Sequence, residues 1–365
     1  MKVIFNTHYL LFFCSIFFII SSCKNLQKTQ KTPIPPRTTI SSSNLQQLKG
    51  GKMVEYMTEE AGEVLILKDD LEPFFEELGD LELEIRLKDN FKENDRAANI
   101  QQFKDQMKAS VQEWKADELT FVKEIFEEAY SLCSQVTPEL FPKNLQLILT
   151  DGTEENNAFY TRDAAIIIPR PTMQRMNNDK GRERFLQTMI HEVFHVYSRL
   201  NPEKQHQLYE TIGYEKIENL DIGSMLQKRK LTNPDGVDYR FKINVVKSNG
   251  DAVPTILMIY SKHDEFTSEN GSFFQYLAYD LFEIEAVDNG WQVVNGDEPT
   301  PLGIQKVSGF REQIGNNTDY IIHPDEVLAD NVAILVMSKK TGKLPSRVDE
   351  NGKGLLDKIE RILRR

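Results

Sequence analysis

The spacing of apolar residues along this chain changes period several times, and each change predicts an element. Leu81, Leu83, Ile85 and Leu87 alternate with polar residues, the two-residue period of a half-buried strand. Asn99 to Trp114 and Leu119 to Cys133 repeat their apolar positions at three and four residues, which predicts two helices and makes 52–143 a mostly helical region. Leu145 to Leu149 and Ala164 to Ile168 are short apolar runs of strand type, separated by a polar loop over Thr150 to Asn157 and closed by Pro169. Phe185, Leu186, Met189, Ile190, Val193, Phe194 and Tyr197 then recur with the period of a largely buried helix. Arg182 and Glu183 open that helix, and Asn201-Pro202 ends it, since a residue before proline avoids the helical region. From 237 to 294 alternation returns: Val237, Tyr239, Phe241, Ile243 and Val245 lead to a Ser248–Asp251 turn and a return strand over Val253 to Tyr260. Leu355 to Leu363 is an amphipathic helix with a basic end, expected to pack on the core.

The first fifty residues follow none of these patterns. Met1-Lys2 precedes an apolar run from Tyr9 to Ile20, too short for an ordinary membrane span and of the length of a signal-peptide core. It ends in Ile20-Ser21-Ser22-Cys23, which resembles the bacterial lipobox. That resemblance implies a signal peptide over 1–22, lipidation of Cys23, and a cell-envelope protein anchored in a membrane, the outer membrane of a Gram-negative bacterium by Lys24. A short uncleaved anchor or an ordinary secretory signal is the competing reading. The Gln-, Thr-, Ser- and Pro-rich stretch 23–51 reads as a flexible tether. Of three cysteines, Cys14 would leave with the signal and Cys23 would carry lipid. Cys133 falls on the apolar face of its helix, as core filler rather than nucleophile. A formal charge of −12 argues against nucleic acid and against adhesion to anionic lipid.

The candidate chemistry sits on the buried helix. His191-Glu192-Val193-Phe194-His195 puts two imidazoles four residues apart, on one helix face, where both can reach one metal ion. Glu192 projects beside them as a general base for water. A catalytic zinc needs a third protein ligand and one open position. Glu215, twenty residues past His195, is one candidate. Glu326 is the favoured one: Pro324 suits the first turn of a helix, Val327, Leu328, Val332, Leu335 and Val336 give it an apolar face, and Asp330 lies on the same edge as Glu326. His323 and Asp325 are outside candidates.

The motif and its setting resemble the gluzincin branch of the zincin metallopeptidases over residues 144 to 338. The metzincin pattern is excluded, because Ser198 and Asn201 stand where that class carries glycine and histidine. The resemblance implies an α+β fold: a zincin-like metallopeptidase domain over 144–365 with active-site helices, an edge-strand sheet and a β-rich insertion at about 237–294, preceded by the mostly helical region. It implies zinc held by His191, His195 and Glu326, with Asp330 accepting a hydrogen bond from a metal-bound histidine. Glu192 would be the catalytic base, Tyr320, His323 or Tyr160 the stabiliser of the oxyanion, and a peptide or protein the substrate. The segment Ala158 to Pro169 resembles the edge strand on which such enzymes pair extended substrate, although a run apolar on both faces also fits a buried inner strand. The alternative function is a non-catalytic zincin-like surface lipoprotein, acting as a binding or structural module of the envelope.

Overall fold

Two β-sheets and the helices packed on them make up the structure, a computed structural model that describes residues 44–91 and 95–365. The first sheet contains β1 (Asn44–Gln47), β2 (Met53–Tyr56), β3 (Asn144–Thr150), β4 (Tyr160–Arg162) and β5 (Ala165–Pro169), in the order β1-β2-β3-β5-β4. β2, β3 and β5 run parallel, and antiparallel β1 and β4 close the two edges. Leu145, Leu147, Leu149, Ile166 and Ile168 face one apolar cluster, Ile148, Ala165 and Ile167 another. With helices covering both faces, the inner strands have no wet side, which is why their sequences run apolar without alternating.

This arrangement settles the place of Ala164–Ile168. It forms β5, an inner strand, and the edge belongs to Tyr160–Arg162. The end of the stretch expected as a tether belongs to the fold. Residues 44–47 pair with Met53–Tyr56 and thereby join the sheet of the main body, while Cys23 and the signal segment lie outside the described residues. Asn44 to Arg365 is a single compact unit, so the boundary expected near 143 is a change of local structure rather than of domain.

The strand expected over Leu81–Leu87 is a helix, Asp80–Leu87. Its alternation is equally a four-residue repeat: Leu81 and Ile85 share a face, and Glu82 and Arg86 share the next as a buried ion pair. The predicted helices around residues 99–114 and 119–133 occupy Arg96–Ser110 and Ala116–Val136, and Cys133 is fully buried in the second.

The second sheet is larger than the insertion expected at 237–294. Besides β8 (Phe241–Val246), β9 (Ala252–Ser261), β10 (Leu277–Val287) and β11 (Gly290–Val293), it recruits β6 (Tyr214–Lys216) and β7 (Leu220–Asp221). The order is β6-β8-β9-β10-β11-β7. Two helices connect the sheets to the candidate site. Arg182–Leu200 lies on the first sheet and is buried along almost its whole length; Phe185 stacks on Phe121 at 5.2 Å. Pro324–Thr341 packs directly against it, and Glu350–Leu363 adds Leu355, Leu356, Ile359 and Leu363 to the same core. No helix among the described residues is long and apolar enough to cross a membrane.

Candidate metal centre

The residues His191, Glu192 and His195 are fixed by the apolar face of their own helix, since Val193, Phe194 and Val196 are fully buried around them. The facing helix begins with His323 as its N-cap, whose Nδ1 accepts the Asp325 amide at 3.1 Å, and with Pro324 in the first turn. That start aims the next two side chains, Asp325 and Glu326, at the two histidines.

Three atoms converge. His191 Nε2 and His195 Nε2 are 3.0 Å apart, and Glu326 Oε2 is 3.1 Å from the first and 3.3 Å from the second. Ligands around a tetrahedral zinc, with bonds of about 2.0–2.1 Å, lie roughly 3.3 Å from one another. Two imidazole nitrogens and one carboxylate oxygen are a donor set suited to zinc, and the triangle has close to the right size.

Each imidazole is oriented from behind. His191 Nδ1 donates to Asp330 Oδ1 at 2.9 Å, and His195 Nδ1 donates to Asp325 Oδ2 at 2.6 Å. A carboxylate can only accept here, so Nδ1 carries a proton and Nε2 is the nitrogen that could ligate a metal. The aspartates are themselves held: Asp330 by the Thr318 hydroxyl, Asp325 by Ser198 Oγ at 2.5 Å and the Tyr209 hydroxyl at 3.0 Å. Glu326 offers Oε2 inward while its Oε1 accepts from Asn233 Nδ2 at 2.7 Å. Glu192 is 3% exposed, and its Oε2 is buried with no hydrogen bond among the described residues. An unbonded buried carboxylate oxygen is costly, and a metal-site water is the kind of partner that relieves it.

The electrostatics ask for a cation. Burial alone would lower the His191 pKa, but its bonds to Asp330 and Glu326 outweigh that and push it up to about 10. His195 is likewise held well above its ordinary value, burial being overcome by Glu326, Asp235 and Asp325. Burial pushes Glu192 up to about 8, assisted by the nearby Asp235 charge. Glu326 is held below the usual carboxylate range despite its burial, by the two histidines. Metal-free, the carboxylates thus favour protonated imidazole, and a divalent ion would supply that positive charge instead.

Among the expected site residues, His191, His195, Glu326, Asp330 and Glu192 are brought together. Glu215 is not: it lies on β6, exposed, and pairs with Lys242 at 2.5 Å. Among the oxyanion candidates, the Tyr320 ring lies 6.1 Å from that of His191, centre to centre. His323 is spent on the helix cap and on the Asp238 carbonyl, and Tyr160 reaches Glu154. Asn233 and Asp235 carry no signal of a role along the chain, since their Asn-Pro-Asp-Gly setting reads as an ordinary turn. Asp325, an outside candidate for the metal, instead accepts from His195 Nδ1. Comparison with protein-family models, with curated proteins and with solved structures returned no match.

Proposed function

We propose that this chain is a zinc-dependent metallopeptidase of gluzincin type, anchored in the cell envelope by lipid on Cys23. The observation that carries the reading is the convergence of His191 Nε2, His195 Nε2 and Glu326 Oε2 within 3.3 Å of one another, beside a buried Glu192 whose Oε2 has no hydrogen bond among the described residues. When bound there, zinc would lower the pKa of water toward about 7 and polarise a carbonyl. The protein's own groups do the rest. His191, His195 and Glu326 hold the ion, while Asp330 and Asp325 fix the tautomer and direction of the rings. Glu192 accepts the proton of the attacking water and returns it to the leaving amine. Tyr320, kept in its neutral donor form by burial and the surrounding carboxylates, is the group best placed to donate to a developing oxyanion. A non-catalytic scaffold gains nothing from an unbonded carboxylate at position 192, which disfavours the binding-module alternative.

The test compares the chain with Glu192→Gln and Glu326→Gln for zinc content and for cleavage of a mixed peptide library. The expected pattern is one zinc and cleavage in the parent, zinc without cleavage in Glu192→Gln, and loss of zinc in Glu326→Gln. A parent that binds no zinc removes the reading; zinc retained by Glu326→Gln removes the ligand assignment.

A further inference from the structure

We infer that the segment Asn233-Pro234-Asp235-Gly236 is a built-in blocker that occupies the substrate's place on the sheet edge and keeps the protein partly latent. The inference rests on the peptidase reading above. β4 is three residues long and pairs with β5 in the register Tyr160↔Ile167, Thr161↔Ile166, Arg162↔Ala165. The Thr161 amide points away from β5 and donates to Asp235 Oδ1 at 2.7 Å, and its hydroxyl donates to the same oxygen at 2.6 Å. Alternate residues of an antiparallel strand face opposite ways, so Thr161 is the one residue of β4 with an outward amide. An extended peptide adding itself to this edge needs that amide. Asp235 has it.

The same carboxylate reaches the metal centre. Asp235 presents an oxygen that, with a Glu192 oxygen and a His195 nitrogen, forms a group spanning no more than 4.8 Å. It therefore bridges the sheet edge and the catalytic groups, as a substrate strand would, with a carboxylate oxygen in the role of the substrate's carbonyl. The neighbours complete the plug. Asn233 takes the outer oxygen of Glu326, and Arg199 donates to the Pro234 carbonyl at 3.2 Å while also holding Thr161 Oγ1 at 2.9 Å. Gly236 lets the tip sit this deep: a Cβ there would lie 2.2 Å from the His323 ring.

What can move is limited to the tip. On one side Thr232 is pinned by Glu82, which accepts its amide at 2.9 Å and its hydroxyl at 2.8 Å, and Leu231 is fully buried. On the other side Val237 is 3% exposed. The apolar anchors thus flank the tip, and its own bonds are polar bonds to Thr161, Glu326 and Arg199. Those are bonds a substrate strand or water can replace. A blocker in equilibrium with an open form multiplies the apparent dissociation constant of substrate by the inverse of the open fraction.

The experiment uses the zinc-loaded chain, Asp235→Ala and Gly236→Ala. Zinc content, amide exchange over residues 160–162, and the KM and kcat for an extended peptide are read for each. Both variants should keep zinc, exchange at least fivefold faster at Thr161 and show at least fivefold lower KM. Faster exchange with cleavage reduced in both variants would overturn the proposal, making the tip a working wall of the site. Unchanged exchange in both would overturn it too, since the contact would then not protect the edge. A parent with no zinc and no cleavage removes the peptidase reading and latency with it. Failure of the blocker alone is different: the parent cuts, and neither variant cuts at lower KM.

Discussion

The protein buries two clusters of charge, and they are solved in opposite ways. In one, Glu82 and Glu155 close on Arg86, whose Nε and Nη2 reach Glu82 Oε1 at 2.9 and 2.8 Å and whose Nη1 pairs with Glu155. The guanidinium also lies over the Phe273 ring at 4.6 Å and donates to the Thr232 carbonyl at 2.9 Å. This cluster carries its cation covalently. In the other, Glu192, Asp235, Asp325, Glu326 and Asp330 surround two histidines, and the nearest fixed cation, Arg199, is already paired with Glu72 at 2.8 Å. That cluster balances its charge only by recruiting protons or a metal. Carboxylates closed on a fixed guanidinium are the mark of scaffold, and carboxylates gathered on titratable rings the mark of a site.

The comparison breaks most visibly at Arg86. Arg86→Met should strand Glu82 and Glu155 in the core and destabilise the fold by about 3–5 kcal/mol, read by denaturant unfolding of the metal-free chain. Thr232 hangs from Glu82, so the tip beside the metal centre should loosen as well. A loss below about 1 kcal/mol would show that water reaches this cluster and that it is not the closed unit described here.

A smaller effect sharpens the other side. Asp330→Asn and Asp325→Asn leave the three converging atoms in place but weaken what orients the rings. Each should reduce zinc affinity by about 10–100-fold, measured by competition with a chelator. Asp325→Asn should cost more, because that carboxylate gathers His195, Ser198 and Tyr209 while Asp330 gathers His191 and Thr318. Unchanged affinity in both would mean the rings are positioned by packing alone.

How much of this was legible in the sequence depended on the range of the signal. The helix Arg182–Leu200 is read from one local period, and His191, Glu192 and His195 follow from spacing on a single element. Glu326 and Asp330 were found because they too share a helix edge, and Glu215 was its rival only while the distance to His195 was counted along the chain. Leu81–Leu87 misled because a seven-residue segment that alternates also satisfies a four-residue repeat, and burial of Glu82 and Arg86 as a pair decided for helix. Asp235 gave no signal. Its role is a contact between a turn and the edge of a sheet 74 residues earlier in the chain, and no local pattern encodes it.

The smallest expected effect concerns protons, and its sign follows from the raised pKa values. Metal-free, His191 titrates near about 10 instead of its usual 6.5, so the stability it contributes is complete below about 6.5 and is lost as pH rises through about 10. Glu192, raised to about 8, acts in the same direction: its buried acid form suits the fold, and that advantage is lost as the pH climbs from its ordinary range through about 8. Glu326, held low, opposes them only on the acid side of its usual range. The metal-free chain should therefore lose melting temperature steadily between pH 6.5 and 10, while the zinc-loaded chain stays flatter, because the ion and not a proton then neutralises the histidines. At pH 7 zinc binding should expel protons from the site, visible as a dependence of the calorimetric heat on the buffer's own ionisation heat. The Arg86 cluster, with no titrating cation, should contribute nothing to the proton release; Glu155, raised by burial, adds only to the pH dependence of stability. Zinc binding without proton release would mean that the histidines are already neutral and that the two clusters do not differ in the way their charge is completed.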